Sequence, residues 1–246
     1  MLSKAKIKFV KSLQVKKYRK QEQSFVVEGA KSVAELLTSD FIIDCVLAQP
    51  GFRKAYAGVL KKEIEVVEVN EKELAQLGTF QTNDAALAVA RMKPNTPPLL
   101  NEEFCLVLDD LRDPGNLGTI IRTADWYGLK NIIASEETAD FYNPKTISAT
   151  MGSFARVNVF YTHLPTFLQK NQWPVYGTFM QGEDVHRTEF STHGLIVIGN
   201  ESNGISPEVS SLVTHRITIP RIGKAESLNA AMATGIVLDN VFRLKE

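Results

Sequence analysis

The chain has 246 residues, 44% of them hydrophobic and 23% charged, which is long for one domain and enough for a sizeable core. Its 28 basic and 28 acidic residues cancel, which argues against indiscriminate binding to polyanions. These values exclude a disordered chain, a collagen and a small disulfide scaffold. Charged residues break every apolar run short of membrane-spanning length, and Lys4, Lys6, Lys8 and Lys11 interrupt any signal-peptide core. Cys45 and Cys105 each lie in an apolar run, so a reducing, cytoplasmic setting without a bridge is expected.

The first twenty residues carry eight Lys or Arg and no acid, and Lys16, Lys17, Arg19 and Lys20 close this run. A solvated face and phosphate contact both fit it, the second because each neutralised phosphate also releases counterions. From Phe25 the chain alternates strand and helix composition. FVVE (25–28) ends at Gly29 and leads into a helix to Leu37; strands are expected at 41–48, 64–69 and 86–92. KPNTPPLLNEE (93–103) has three prolines, which suit neither ladder nor helix, and is expected to link a domain at 1–92 to one at 104–246.

The second half alternates again with more strongly apolar strands, at 104–109, 131–134, 155–160, 175–179, 195–199 and 216–220. Continuous apolarity predicts strands covered on both faces, hence an α/β fold with a largely parallel sheet. A last helix is expected from about Glu226 to Leu244, with Leu228, Ala231, Gly235, Leu238 and Phe242 on a core or subunit face.

The common nucleotide signatures are missing: no G-x-G-x-x-G follows a strand and no G-x-x-x-x-G-K-[ST] occurs. The four histidines are scattered, so no metal is expected, and no G-x-S-x-G elbow supports a serine hydrolase. Polar residues gather instead in three segments that follow strands. In LVLDDLRDPGNLGTIIRTADWYG (106–128), Asn116 and Arg122 lie about 240° apart on a helix and cannot share a face. They converge only if Asn116 sits in the turn or cap. LIVIGNESNGIS (195–206) brackets Asn200-Glu201 with glycines, which suggests backbone close to a ligand. ITIPRIGKAESLNAAMATG (217–235) places Ser227 and Asn229 at the start of the last helix, where Ser227 is also a plain cap candidate. Ends of parallel strands gather where ligands bind.

These segments resemble the three motifs of the SPOUT-class RNA 2′-O-ribose methyltransferases, the SpoU or TrmH family, in order and spacing: N-x-x-x-x-x-R, then G-N-E-x-x-G, then I-P…S-L-N. NPKTISATMGSFARV (143–157) resembles the family's segment between the first two motifs. Residues 1–92 resemble more loosely its ribosomal-protein-like substrate-binding domain. Ser148, Ser202-Asn203 and Asn240 stand where family members often have Arg, Gly-Arg and Glu.

The resemblance implies a C-terminal parallel-sheet domain tied in a deep trefoil knot, preceded by a smaller α/β RNA-binding domain. It implies S-adenosylmethionine as methyl donor, with Gly199, Ile219 and Leu228 lining its pocket, and a ribose 2′-hydroxyl of RNA, ribosomal or transfer, as acceptor. Arg122 would act at the hydroxyl, Asn116 would orient it, Glu201 would hold Arg122 or the nucleotide, and Ser227 and Asn229 would wall the methyl donor. A homodimer through the C-terminal domain is implied. A non-catalytic RNA-binding protein of the same fold is the rival reading.

Overall fold

The structure, a computed structural model, describes residues 2–79, 83 and 85–243. Its chain divides into two compact units, Met1–Pro94 with Asp140–Ala155, and Asn95–Ala139 with Arg156–Glu246.

In the first unit the basic run is helical, as α1 (Lys4–Ser12) and α2 (Lys16–Glu22). Ser3 caps α1 by accepting the Lys6 N–H, and Lys11 lies in its last turn, where a cation complements the helix dipole. Val10, Leu13 and Arg19 are buried, while Lys8, Lys11, Lys16, Lys17 and Lys20 face solvent. This spacing is amphipathic, but the charges hide it from an inspection of apolar periodicity alone.

The unit continues through β1 (Ser24–Glu28), α3 (Ala30–Leu37), β2 (Ile43–Ala48), α4 (Pro50–Ala55), β3 (Glu65–Glu68), α5 (Glu71–Leu77) and β4 (Ala86–Arg91). The four strands form one sheet in the order β1-β4-β2-β3. β4 runs antiparallel to both neighbours, and β2–β3 is parallel. Leu13, Val26, Leu47, Leu74, Leu87 and Val89 pack into one core.

The remaining elements are β5 (Phe104–Leu108), α6 (Pro114–Trp126), β6 (Asn131–Ala134), α7 (Pro144–Ala149), β7 (Asn158–Tyr161), α8 (Leu164–Gln169), β8 (Val175–Asp184), β9 (Gly194–Ile198), α9 (Pro207–Ser210), β10 (His215–Thr218) and α10 (Ala230–Phe242). In the second unit six strands form one sheet, β10-β8-β9-β5-β6-β7, and each neighbouring pair is parallel. Every residue of β5 and β9 is buried, as their unbroken apolarity predicts. β7 starts later than expected, at Asn158, and β8 runs on to Asp184. The β8–β10 register jumps between Arg216 and Ile217, so Gly177 and Glu183 pair with consecutive residues of β10.

Residues 140–155, which the apolar pattern assigned to the second half, pack within the first unit. α7 lies against β1, and Phe154 meets Phe25 edge-on at 6.3 Å between ring centroids. Gly152 takes φ +102°, and a Cβ there would lie 2.5 Å from Glu35 Cγ. The segment is anchored by Arg19, whose Nη2 donates to Asp140 Oδ2 at 2.6 Å while Nη1 donates to the carbonyls of Leu13 and Gln14. Arg19 is only 1% exposed. Its expected role in RNA contact is therefore corrected: a guanidinium enclosed with a carboxylate and two carbonyls is not available to a phosphate.

Candidate active site

β5 and β9 are adjacent and end level, with Leu108 opposite Ile198, so the loops that follow them emerge together. The ladder runs one step further, since Asp109 N–H donates to the Ile198 carbonyl at 2.9 Å. Buried Asp109 then accepts the Ser206 N–H at 2.7 Å, and Asn200 Nδ2 donates to the Asp110 carbonyl at 2.7 Å. Asp110 sits at φ +55°, with its N–H on Ser135 Oγ. The turn after β9 is closed by paired backbone bonds between Asn200 and Gly204 and by Asn200 Oδ1, which accepts the N–H groups of Ser202 and Asn203.

Gly199 is required here by that turn. A Cβ on it would fall 2.3 Å from the Gly204 carbonyl carbon and 2.4 Å from Ile205 N. The close backbone approach expected from the glycine pair is thus an approach of the loop to itself. Ser202 and Asn203 contribute backbone N–H groups to this turn, which do not depend on side-chain identity.

After β5, Asp113 caps α6 by accepting the Asn116 N–H at 2.8 Å, and Pro114 takes the first helical position, where no N–H is needed. Asn116 therefore lies inside the first turn of the helix, not in the preceding loop. Its Nδ2 donates to Glu201 Oε1 at 2.6 Å, and its Oδ1 accepts from Asn229 Nδ2 at 2.9 Å. Asn229 Oδ1 in turn accepts the N–H groups of Ala231 and Met232, making it the N-cap of α10. Glu201 accepts from the amide end of Asn116, which leaves the Asn116 oxygen to accept from the amide of Asn229. The result is a one-way chain from Glu201 through Asn116 and Asn229 to the start of α10. It joins all three strand-end segments.

The other expected site residues lie elsewhere. Ser227 is exposed and precedes the cap, because α10 begins at Ala230 and not near Glu226. Leu228 lies outside the helix and is 48% exposed, whereas Ala230, Ala231, Thr234, Val237 and Leu238 form the buried face; Leu244 falls outside the described residues. Ile219 directly follows β10 and is half-buried. Neither Ile219 nor Leu228 makes a backbone–backbone hydrogen bond among the described residues. Asn240 bonds to His186 Nδ1 and to the Ile236 carbonyl, so it ties α10 to the segment after β8.

Arg122 is exposed, and no hydrogen bond or ion pair engages it among the described residues. It lies about 9 Å along α6 from Asn116 and about 240° around it. The chain thus brings Asn116, Glu201 and Asn229 together and leaves Arg122 on another face. That face also carries Trp126, one turn on and 84% exposed. Asp109 and Asp113 also hold these loops but were given no role from the sequence, although Asp-Pro-Gly at 113–115 carried a readable cap signal; Asn200 was noted only as half of the glycine-bracketed Asn-Glu pair.

Strand-end segments of a parallel sheet thus gather one carboxylate and two amides, without a dinucleotide fingerprint. The chain belongs to the SpoU rRNA Methylase family, which matches residues 103–239; an MRM3-like substrate binding domain matches residues 4–88. A relative from Bacillus subtilis (strain 168), the 23S rRNA (guanosine(2553)-2′-O)-methyltransferase RlmP, is 31% identical over 95% of this chain and 94% of its own. A TrmH-family structure from Porphyromonas gingivalis superposes with a TM-score of 0.89 at 36% identity, covering 99% of both chains. An rRNA methyltransferase structure from Sinorhizobium meliloti with bound AdoMet gives 0.86 at 30% identity, covering 99% of this chain and 97% of the other.

Proposed function

We propose that this chain transfers a methyl group from S-adenosylmethionine to a ribose 2′-hydroxyl of ribosomal RNA, in the cytoplasm. The observation that carries the reading is the chain Glu201–Asn116–Asn229, which draws together the strand-end segments that carry the family's motifs. The named activity of the Bacillus relative, similar along nearly its whole length, supports ribosomal over transfer RNA as substrate.

The residues present fit the cofactor. A donor taken mainly through backbone groups needs N–H and C=O groups beside apolar surface, and Ile219 and Leu228, which make no backbone–backbone hydrogen bond among the described residues, would offer both. When bound, the sulfonium supplies a methyl group on a good leaving group. The protein must then place the ribose hydroxyl in line and manage its proton. Asn116, held at both ends, and Glu201 present fixed polar groups for that positioning. The role of Arg122 in this reading is to clamp the neighbouring phosphate and stabilise charge developing on the hydroxyl oxygen. Ser227, in the exposed segment before α10, would wall the methyl donor together with Asn229. The trefoil knot implied by the family belongs to the same reading.

A homodimer completes the site. Arg122 shares an exposed stripe of α6 with Trp126, and Met232 on the packed neighbour α10 is 63% exposed. Exposed tryptophan and methionine on paired helices mark a surface that is covered in the working protein. A second copy seated on Trp126 also covers Arg122, bringing it to the partner's strand-end loops. RNA is held by Lys16, Lys17 and Lys20, the exposed lysines of α2. The test is transfer of labelled methyl from S-adenosylmethionine to ribosomal RNA, mapped to a 2′-O position; base methylation, or cofactor binding without transfer, would overturn the reading.

A further inference from the structure

We infer that Asn200 is a positioning residue for Glu201, acting through the Asp110 carbonyl, so that the catalytic chain is set by a tie between the β5 and β9 loops. The inference rests on the methyl-transfer reading above. Every polar group of Asn200 is in use. Its backbone N–H and C=O pair with Gly204 at 2.9 Å each; its Oδ1 accepts from Ser202 N at 2.9 Å and Asn203 N at 3.1 Å; its Nδ2 reaches Asp110 O at 2.7 Å. The first four of these bonds shape the turn itself. The fifth is different in kind, because it fixes the turn against the neighbouring loop.

Glu201 is the next residue along, so a small rotation of the turn moves its carboxylate directly. That carboxylate must lie within hydrogen-bond reach of Asn116, which belongs to the β5 side through the Asp113 cap. Asp110 offers an unusual anchor: its left-handed conformation is braced by Ser135 Oγ on its N–H, and its side chain is bonded to Arg112 at 2.8 Å. A further tie between these loops, Ser206 N–H to Asp109, lies beyond the turn and fixes its far end. Asn200 is the tie next to Glu201.

Asn200→Asp separates the two functions of the side chain. An aspartate still accepts from Ser202 and Asn203 and keeps the turn, but it presents an oxygen to the Asp110 carbonyl and breaks the tie. The experiment uses the full chain labelled with nitrogen-15. The Asn116 side-chain amide signal is identified by its loss in Asn116→Asp. In Asn200→Asp that signal is expected to move to the position of an unbonded amide. Single-turnover methyl transfer is expected to fall at least ten-fold, with KM for cofactor and RNA within three-fold of wild type. An unmoved Asn116 signal, or turnover within two-fold of wild type, overturns the inference. Should Asn200→Asp fail to fold, Asn200→Ser gives the same decision, because its hydroxyl can serve the turn but cannot span to Asp110. A wild type that transfers no methyl would sink the functional reading, while the amide signal would still decide whether Asn200 sets Glu201.

Discussion

Asn116 donates to Glu201 over 2.6 Å although 85 positions separate them, and the same amide accepts from Asn229 on its other side. Its placement in the first turn of a capped helix leaves that side chain little freedom. Exchanging the amide for a carboxylate therefore has a definite electrostatic consequence. Asn116→Asp sets two carboxylates within hydrogen-bond distance, and such a pair holds a shared proton more tightly than either alone. The hydrogen bond from Asn116 to Glu201 is lost with the amide. Transfer by Asn116→Asp is expected to be at least ten-fold below wild type at pH 8. Single-turnover rates of both proteins at pH 8 check it.

Arg122 makes no use of the site within its own chain, so its loss is expected to leave the fold and cofactor affinity intact. Arg122→Ala should lower methyl transfer by about 10²-fold or more, the scale for removing a charge stabiliser from a transition state. Cofactor binding by calorimetry should stay within a few-fold. Near-normal turnover would remove Arg122 from its role.

Trp126 shares the face of Arg122, and Trp126→Glu is expected to yield a monomer by sedimentation, with transfer lost although Arg122 is intact. Retained dimer with retained activity would place the interface elsewhere.

The arm separates into buried and exposed cations. Neutralising Lys16, Lys17 and Lys20 should flatten the dependence of log K on log salt by about 2–3 units, with thermal stability unchanged. Arg19→Ala should act oppositely. It leaves Asp140 without its partner in a site where Arg19 is buried, at a cost of about 3 kcal/mol read from denaturant unfolding.

Both thiols are buried, and burial pushes Cys105 up to about 12 and raises Cys45 as well. Little thiolate is present at pH 8, so a disulfide exchange reagent should react with neither in the native protein and with both in denaturant. Rapid labelling without denaturant would contradict the burial.

Some of this protein was legible in local pattern. β5 and β9 read as parallel-sheet strands because residues covered on both faces must be apolar without interruption. The ordered polar segments after the strands named Asn116, Glu201 and Asn229, since turns and caps draw on a small set of residue types. Pairing of these residues was not legible: the contact depends on β5 and β9 being neighbours in the sheet, and strand order leaves no mark on either strand. Arg19 shows the limit most plainly. Among eight cations in twenty residues it looks like its neighbours, and only the packing of residues 140–155 makes it a buried anchor. Charge is a property of the residue, but whether a charge meets solvent, RNA or a carboxylate is decided by what the rest of the chain places around it.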